Sequence, residues 1–212
     1  MPKQTFFNLS EEKQQRILAA GKEEFAANPY LKTSINRIIE RADISKGSFY
    51  QYFDNKKDLY KYIIDRASEK KMKFLNQKIN DYHELSFFEL LRELFVASIQ
   101  FKNAYPELSE IGDQLLSGAN EVLKKEIYAE SKPKSNEFFE NIIQKGIEKG
   151  ELDPNIDIKF TAYMLTDFSI SIVNYFFENH NSEDLEEIMD YVDKMLYIMK
   201  NGISRGENNG LS

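Results

Sequence analysis

Apolar residues recur with a helical period along most of the chain, and three helix signals fall between Thr33 and Leu59. Behind Ser34, apolar side chains stand at positions 35, 38, 39 and 42, which is the spacing of one face of an α-helix. Ser34 is a favourable N-cap for this helix, because its hydroxyl can accept a backbone N–H of the first turn. Asp43 and Ile44 break the period, which predicts a short turn.

A second, very short helix is predicted from Lys46 to about Tyr52, with Ser45 as its N-cap. A third helix begins after Asn55, with Asp58 in the position of a capping box. Two short helices separated by such a turn form a helix-turn-helix, the unit that places its second helix in the major groove of DNA.

The polar side of the second helix carries side chains suited to DNA. If Ile44, Phe49 and Phe53 face the core, a cation, small groups and hydrogen-bonding side chains remain for a partner. These residues are Lys46, Gly47, Ser48, Tyr50, Gln51 and Tyr52. Because glycine is costly in a helix, Gly47 favours a close approach of the backbone to a phosphate or base edge. Lys56, in the first turn of the third helix, opposes the helix dipole but suits a phosphate lying opposite.

This segment resembles the DNA-binding domain of the TetR family of bacterial transcriptional regulators. The residues that carry the resemblance are Ser34, Ile38, Ala42, Ile44, Ser45, Lys46, Gly47, Phe49, Tyr50, Tyr52, Phe53, Lys56 and Leu59. Two residues depart from the family's pattern. Asp43 stands where the family usually has Gly, and aspartate adopts a left-handed conformation more readily than most residues. Tyr52 stands where the family often has a His that contacts a phosphate. In this chain the phenol of Tyr52 would make that contact instead.

The resemblance implies a set of residues that contact DNA. They are Thr33, Ser34, Asn36, Ser45, Lys46, Gly47, Ser48, Tyr50, Gln51, Tyr52 and Lys56. It further implies a regulator, by family default a repressor, that binds a palindromic operator in double-stranded DNA as a homodimer. A small-molecule effector, which the sequence does not identify, would release it by tilting the long helix that follows the helix-turn-helix.

The remaining pattern is helical throughout, with neither a strand pattern nor an internal repeat. Helices are predicted near residues 10–28, 55–80, 86–105, 107–116, 120–130, 138–150, 157–178 and 182–199, with a loop at residues 132–134. The fold class is therefore all-α, with an N-terminal three-helix helix-turn-helix domain, a C-terminal helical bundle and about nine helices in total. The predicted domains are DNA binding at 1–57, ligand binding and dimerisation at 58–203, and a flexible tail at 204–212.

The last two predicted helices are the best candidates for a dimer interface, because they carry more apolar surface than one bundle seam requires. The family also uses its final two helices in this way. The expected interface residues are Phe168, Ile172, Leu185, Ile188, Met189, Val192, Met195, Leu196 and Met199. The alternative is that the stripe from Leu185 to Met199 only closes the core of one protomer.

The body also holds most of the 16 Phe and 12 Tyr residues. In the family it usually encloses an effector pocket, and such pockets are mostly apolar with a few placed polar groups. The expected lining residues are Phe95, Gln100, Tyr105, Phe138, Tyr163, Asp167 and Tyr175. Asp167 is a lone acid within an apolar helix, so it could receive a cationic ligand, cap a neighbouring helix or form a bond across the dimer.

Charge and composition narrow the remaining possibilities. The net charge is −7, but residues 1–60 hold 10 Lys and Arg against 8 Asp and Glu, which agrees with a DNA-binding head on an acidic body. The absence of cysteine excludes disulfides and Cys-ligated metals, and neither a metal site nor a cofactor is expected. No apolar run is long enough for a membrane span, and the N-terminus lacks a signal-peptide core, so we expect a cytoplasmic protein that does not contact a membrane.

Two other functions fit the sequence less well. An enzyme is disfavoured because His83 and His180, the only histidines, have neither metal-ligand spacing nor an evident nucleophile nearby. A helical protein-interaction module, in which the helix-turn-helix is only structural, remains the principal alternative. Nothing in the sequence separates an activator from a repressor.

Overall fold

The protein is described by a computed structural model that covers residues 1–81, 84–117, 120–180 and 185–202. Its helices are α1 (Gln4–Phe7), α2 (Glu11–Ala27), α3 (Ile35–Arg41), α4 (Lys46–Tyr52), α5 (Lys56–Asp81), α6 (Phe87–Ala104), α7 (Pro106–Ser117), α8 (Glu121–Glu148), α9 (Ile158–Asn179) and α10 (Leu185–Asn201), with a 3₁₀ turn at Tyr30–Lys32. These ranges contain no strand, so the all-α prediction is confirmed. The described residues do not include His83, the start of the helix predicted at 182–199, or the predicted tail at 204–212.

The helices begin where short polar side chains satisfy the free N–H groups of their first turns. The side chains of Ser10, Ser34, Ser45 and Asn55 each accept the backbone N–H three residues later. Ser34 and Ser45 are the predicted N-caps of α3 and α4. Asp157 caps α9 in the same way. Just after the C-terminal end of α8, Gly150 has a φ of 74°, the left-handed conformation that stops a helix.

One boundary prediction is wrong. The chain was expected to loop at residues 132–134, but α8 runs without a break from Glu121 to Glu148 and contains Pro133. A ladder of ion pairs ties this stretch to α5. Its pairs are Lys57 with Glu126, Lys61 with Glu130, and Asp65 with Lys134. Because successive partners on each helix lie four residues apart, the ladder aligns α5 and α8 on both sides of the proline.

The chain divides into two compact units. The first comprises residues 1–77 and 98–135, and the second comprises residues 78–97 and the chain from 136 onward. In the first unit, α2 packs against α3 and α7 over a core that includes Phe25, Ile38 and Ile111. A side chain at Gly21 would approach Ile63 to 2.8 Å, so this glycine lets α5 lie close to α2.

In the second unit, α9 and α10 pack together, and the apolar stripe of α10 faces the protomer's own core. Ile188, Val192 and Leu196 are only 5%, 0% and 7% exposed, so predicting them as dimer contacts is wrong. The other predicted interface side chains are half-buried: Phe168, Ile172, Met189, Met195 and Met199. The side chain of Leu185 lies outside the described residues.

The predicted effector-pocket residues do not share one environment. Gln100, Tyr163 and Tyr175 are exposed, which does not fit the lining of an enclosed pocket. Phe95, Tyr105, Phe138 and Asp167 are half-buried. Gln100 and Tyr105 belong to the first unit and the other five to the second. A pocket formed by these residues therefore stays a prediction.

Candidate DNA-binding surface

The elements α3 and α4 form the predicted helix-turn-helix. The turn between them includes Asp43, whose φ of 49° places it in the left-handed region, as expected for the position. The backbone N–H of Ile44 donates to the carbonyl of Ile39 at 3.1 Å and closes this turn. Because Ile38 and Phe49 are both 0% exposed, the two helices are fixed to one core and their polar sides are left outward.

Most of the predicted DNA contacts lie on that outward side. Those with exposed side chains or backbone are Asn36, Ser45, Lys46, Gly47, Tyr50 and Gln51. Ser34, Ser48 and Lys56 are half-buried. The exposed set combines a cation, a phenol and amides, so it can bind a phosphate and also donate to or accept from a base edge.

Two of the predicted contacts are turned inward. Tyr52 is 6% exposed and its ring packs against Phe6, so the prediction that it faces a partner is wrong. Its position on α4 places it on the same side as Phe49, and α1 covers that side. Thr33 is 7% exposed, and its hydroxyl donates to the carbonyl of Tyr30 at 2.6 Å. Its side chain therefore stabilises the turn before α3.

Several predicted DNA contacts meet around one open cavity of about 260 Å³. Its lining residues are Thr33, Ser34, Ile35, Asn36, Lys46, Tyr50 and Lys56, and all but Ile35 are predicted DNA contacts. The helix-turn-helix brings together the starts of α3, α4 and α5 at this point. Two ammonium groups and several hydrogen-bonding groups around a small opening make it suited to a phosphate.

Lys56 is held more firmly than a surface lysine. Its ammonium group donates to the carbonyls of Tyr30 and Thr33, at 2.7 and 3.0 Å, and lies 4.5 Å from the centroid of the Tyr30 ring. Desolvation lowers the pKa of Lys56 from its usual value. An ammonium has three donors, so one remains for a ligand in the cavity.

Beneath this surface lies a buried carboxylate that sequence reasoning missed. Glu24 of α2 is 0% exposed, and its oxygens accept from the Arg37 Nε, the Arg41 Nη1 and the backbone N–H of Ser34, each at 2.9 Å. Burial alone would raise the pKa of Glu24, but these hydrogen bonds and the positive charge of Arg37 lower it overall. The signal was present in the sequence, because Glu24 continues the apolar stripe of Ile17 and Ala20 at helical spacing.

Across the described ranges, no three His, Asp or Glu side chains lie close enough together to hold a metal ion. None of the described helices is long and apolar enough to cross a membrane.

Comparisons with known proteins agree with this geometry. Residues 17–63 match the model of a family described as bacterial regulatory proteins, tetR family. The crystal structure of a TetR family transcriptional regulator from Chloroflexus aurantiacus J-10-FL is 33% identical in sequence, with a TM-score of 0.57. The match covers 95% of this chain and 98% of that one.

Two further proteins are more distant. The transcriptional regulator FadR from Bacillus subtilis, solved in complex with stearoyl-CoA, is 22% identical with a TM-score of 0.66, covering 90% of this chain and 99% of that one. The biofilm operon icaADBC negative transcriptional regulator IcaR of Staphylococcus aureus is 27% identical over 152 residues. That match covers 65% of this chain and 82% of that protein.

Proposed function

The chain belongs to the TetR family of bacterial transcriptional regulators, and we propose that it is a repressor that binds a palindromic operator as a homodimer and leaves it when a small-molecule effector binds. It is a DNA-binding regulator and not an enzyme. The observation that carries the proposal is the cavity between α3, α4 and α5, where the predicted contacts Asn36, Lys46 and Tyr50 meet. We place the protein in the cytoplasm, with its DNA.

The contacts divide by role. Lys46 and Lys56 border the cavity, where a backbone phosphate fits, and such contacts set affinity without carrying sequence information. Gln51 is exposed on α4 and has an amide that can pair with a base edge in the major groove. A head with one short recognition helix contacts few base pairs, so a second copy is needed to bind two half-sites.

We expect Lys46→Ala to weaken binding to every duplex and to reduce the slope of log affinity against log salt by about one. Lys56→Ala should reduce the slope similarly but cost more affinity, because it also releases the carbonyls of Tyr30 and Thr33. Fluorescence anisotropy at several salt concentrations measures both quantities. Lys159→Ala, an exposed change on α9, is the control and should leave them unchanged. Unaltered slopes in both head variants would exclude these phosphate contacts.

For the dimer, the apolar residues left exposed on α9 and α10 are better candidates than the buried stripe. Tyr197 and Ile198 are 67% and 50% exposed on α10, and Phe160 and Tyr175 are 59% and 53% exposed on α9. Large apolar side chains left exposed on packed helices are typical of surfaces that a partner covers.

The double change Tyr197→Glu and Ile198→Asp should convert a dimer into a folded monomer, because it places charge in an apolar contact. Sedimentation velocity measures the mass, and circular dichroism confirms the fold. Val192→Ala is the matched control on the same helix: it should lower the melting temperature without changing the mass of the folded protein. A double variant that stays dimeric places the interface elsewhere.

The effector is proposed to bind in the body and to favour an arrangement of the two heads that fits the operator poorly. The ligand must bind the two states unequally, with a coupling of about 1–3 kcal/mol. The acyl-CoA complex of the FadR structure supports an apolar-tailed molecule as the first probe. If the effector is an apolar-tailed molecule of this kind, stearoyl-CoA should raise the melting temperature and release the operator, and free coenzyme A, the control, should do neither.

Selection of bound duplexes from a random pool tests the central proposal. Enrichment of a palindrome supports it, and release of that palindrome by a cell extract supports a small-molecule effector. Failure to enrich any duplex overturns it in favour of a protein-interaction module. Transcription from the selected site, with and without the protein, separates repression from activation.

A further inference from the structure

The C-terminal end of the recognition helix α4 is closed by residues from the start of the chain. The last carbonyls of any helix lack partners within that helix. Here the Lys3 ammonium donates to the carbonyl of Tyr50 at 2.9 Å, the Thr5 hydroxyl donates to that of Gln51, and the Lys3 backbone N–H donates to that of Tyr52 at 2.8 Å. Three consecutive carbonyls are thus held by one segment.

That segment is itself firmly docked. Phe6 is 0% exposed, and its ring lies 5.1 Å from the ring of Phe53 and 5.8 Å from that of Tyr62. The Lys3 ammonium also pairs with the Asp54 carboxylate at 2.6 Å, just beyond α4. The donors at Lys3 and Thr5 are therefore fixed to the same core as the helix that they hold.

The recognition helix depends on such external partners because it is short. It has seven residues, and a helix of that length is marginal from its own hydrogen bonds. It also lacks a glycine C-cap, since the chain leaves it through Phe53 in an extended conformation. Phe49 fixes one side of the helix to the core, and its two ends are held by Ser45 at the start and by Lys3 with Thr5 at the finish.

We propose that Lys3 and Thr5 are positioning residues that set the orientation of α4 on DNA and hence its sequence discrimination. This inference rests on the proposed DNA-binding function. Gln51 presents an exposed amide on the same residue whose carbonyl Thr5 holds, so a shift of the backbone displaces the amide from its base. Discrimination between base pairs requires such fixed geometry, whereas phosphate contacts tolerate small shifts.

The test uses the full-length protein and the duplex selected from the random pool. Thr5→Val keeps the shape and removes the donor, and Thr5→Ser restores the donor. Gln4→Ala is a control on the same helix, where the exposed Gln4 amide donates to the side chain of Asn8. Thr5→Val should weaken operator binding about fivefold while changing binding to a scrambled duplex less than about twofold. Thr5→Ser and Gln4→Ala should bind like the wild type.

Hydrogen exchange supplies a measurement that does not need DNA. The amides of residues 46–52 should exchange faster in Thr5→Val than in Thr5→Ser. The melting temperatures of the two variants should be equal, so that the difference is local to α4. If the wild type selects no duplex, the proposed function fails. If the wild type selects an operator and Thr5→Val discriminates as well as Thr5→Ser, only the positioning role fails. Equal losses on operator and scrambled duplex would also overturn it, because they indicate a phosphate contact.

Discussion

Replacing Phe6 with alanine should lower the free energy of unfolding by about 3–5 kcal/mol, as expected for removal of a fully buried phenylalanine ring. Phe6 is 0% exposed and is surrounded by the rings of Tyr52, Phe53 and Tyr62. Aromatic pairs at these distances add to the stabilisation from buried area. The loss should appear as a melting temperature lower by roughly 6 °C or more.

Phe7 provides the control for this change. It is the next residue in the same short helix, but it is 46% exposed. Phe7→Ala should therefore cost less than about 1 kcal/mol. Denaturation of the two variants at equal protein concentration is the measurement, because the melting temperature of the proposed dimer depends on concentration. Equal losses in the two variants would contradict the docking of α1 through Phe6.

The parts of the fold that local chemistry determines could be predicted from sequence. Ser34 and Ser45 cap helices because a hydroxyl before an apolar stripe satisfies first-turn N–H groups wherever the helix packs. Asp43 adopts a left-handed conformation because the turn between two short helices demands it. These features need no knowledge of distant residues, and they place most of the candidate DNA surface.

The predictions that failed concern features that depend on residues far away in the sequence. A four-residue helix such as α1 has too little periodicity to detect, and Phe6 packs against the rings of residues about fifty positions away. Its docking covers Tyr52, which the pattern of α4 alone left outward. Pro133 is a helix breaker by propensity, yet the ion pair of Lys134 with Asp65 holds the chain beside α5 directly after it.

The prediction of Ile188, Val192 and Leu196 as dimer contacts failed for a related reason. The most regular stripe of α10, which includes Val192, is regular because it packs against the protomer's own core. A surface that binds a partner does not pack within its own chain, so its apolar residues need not follow a regular helical stripe. Tyr197 and Ile198, exposed on the same helix, could not be separated from ordinary surface residues by periodicity.

Glu24 is the second residue whose replacement should have a large effect. Removing one partner of a buried ion pair leaves the others uncompensated, at a typical cost of about 3–5 kcal/mol. The partners Arg37 and Arg41 are 46% and 41% exposed, so water compensates them in part. Glu24→Gln, which preserves shape, should therefore lower the free energy of unfolding by about 2–3 kcal/mol at neutral pH.

The dependence on pH identifies the carboxylate as the cause. The pKa of Glu24 lies below its ordinary value of 4.5 in the folded protein, so its ionised form contributes stability that is present above that value and is lost as pH falls through the lowered pKa. The difference between wild type and Glu24→Gln in urea denaturation should be constant from neutral pH down to about 5 and shrink below it. Glu23→Gln is the matched control, since Glu23 is 56% exposed and approaches Arg41 only to 3.9 Å; its effect should stay within about 0.5 kcal/mol. A difference that persists unchanged in acid would show that packing, and not the buried charge, links α2 to the start of α3.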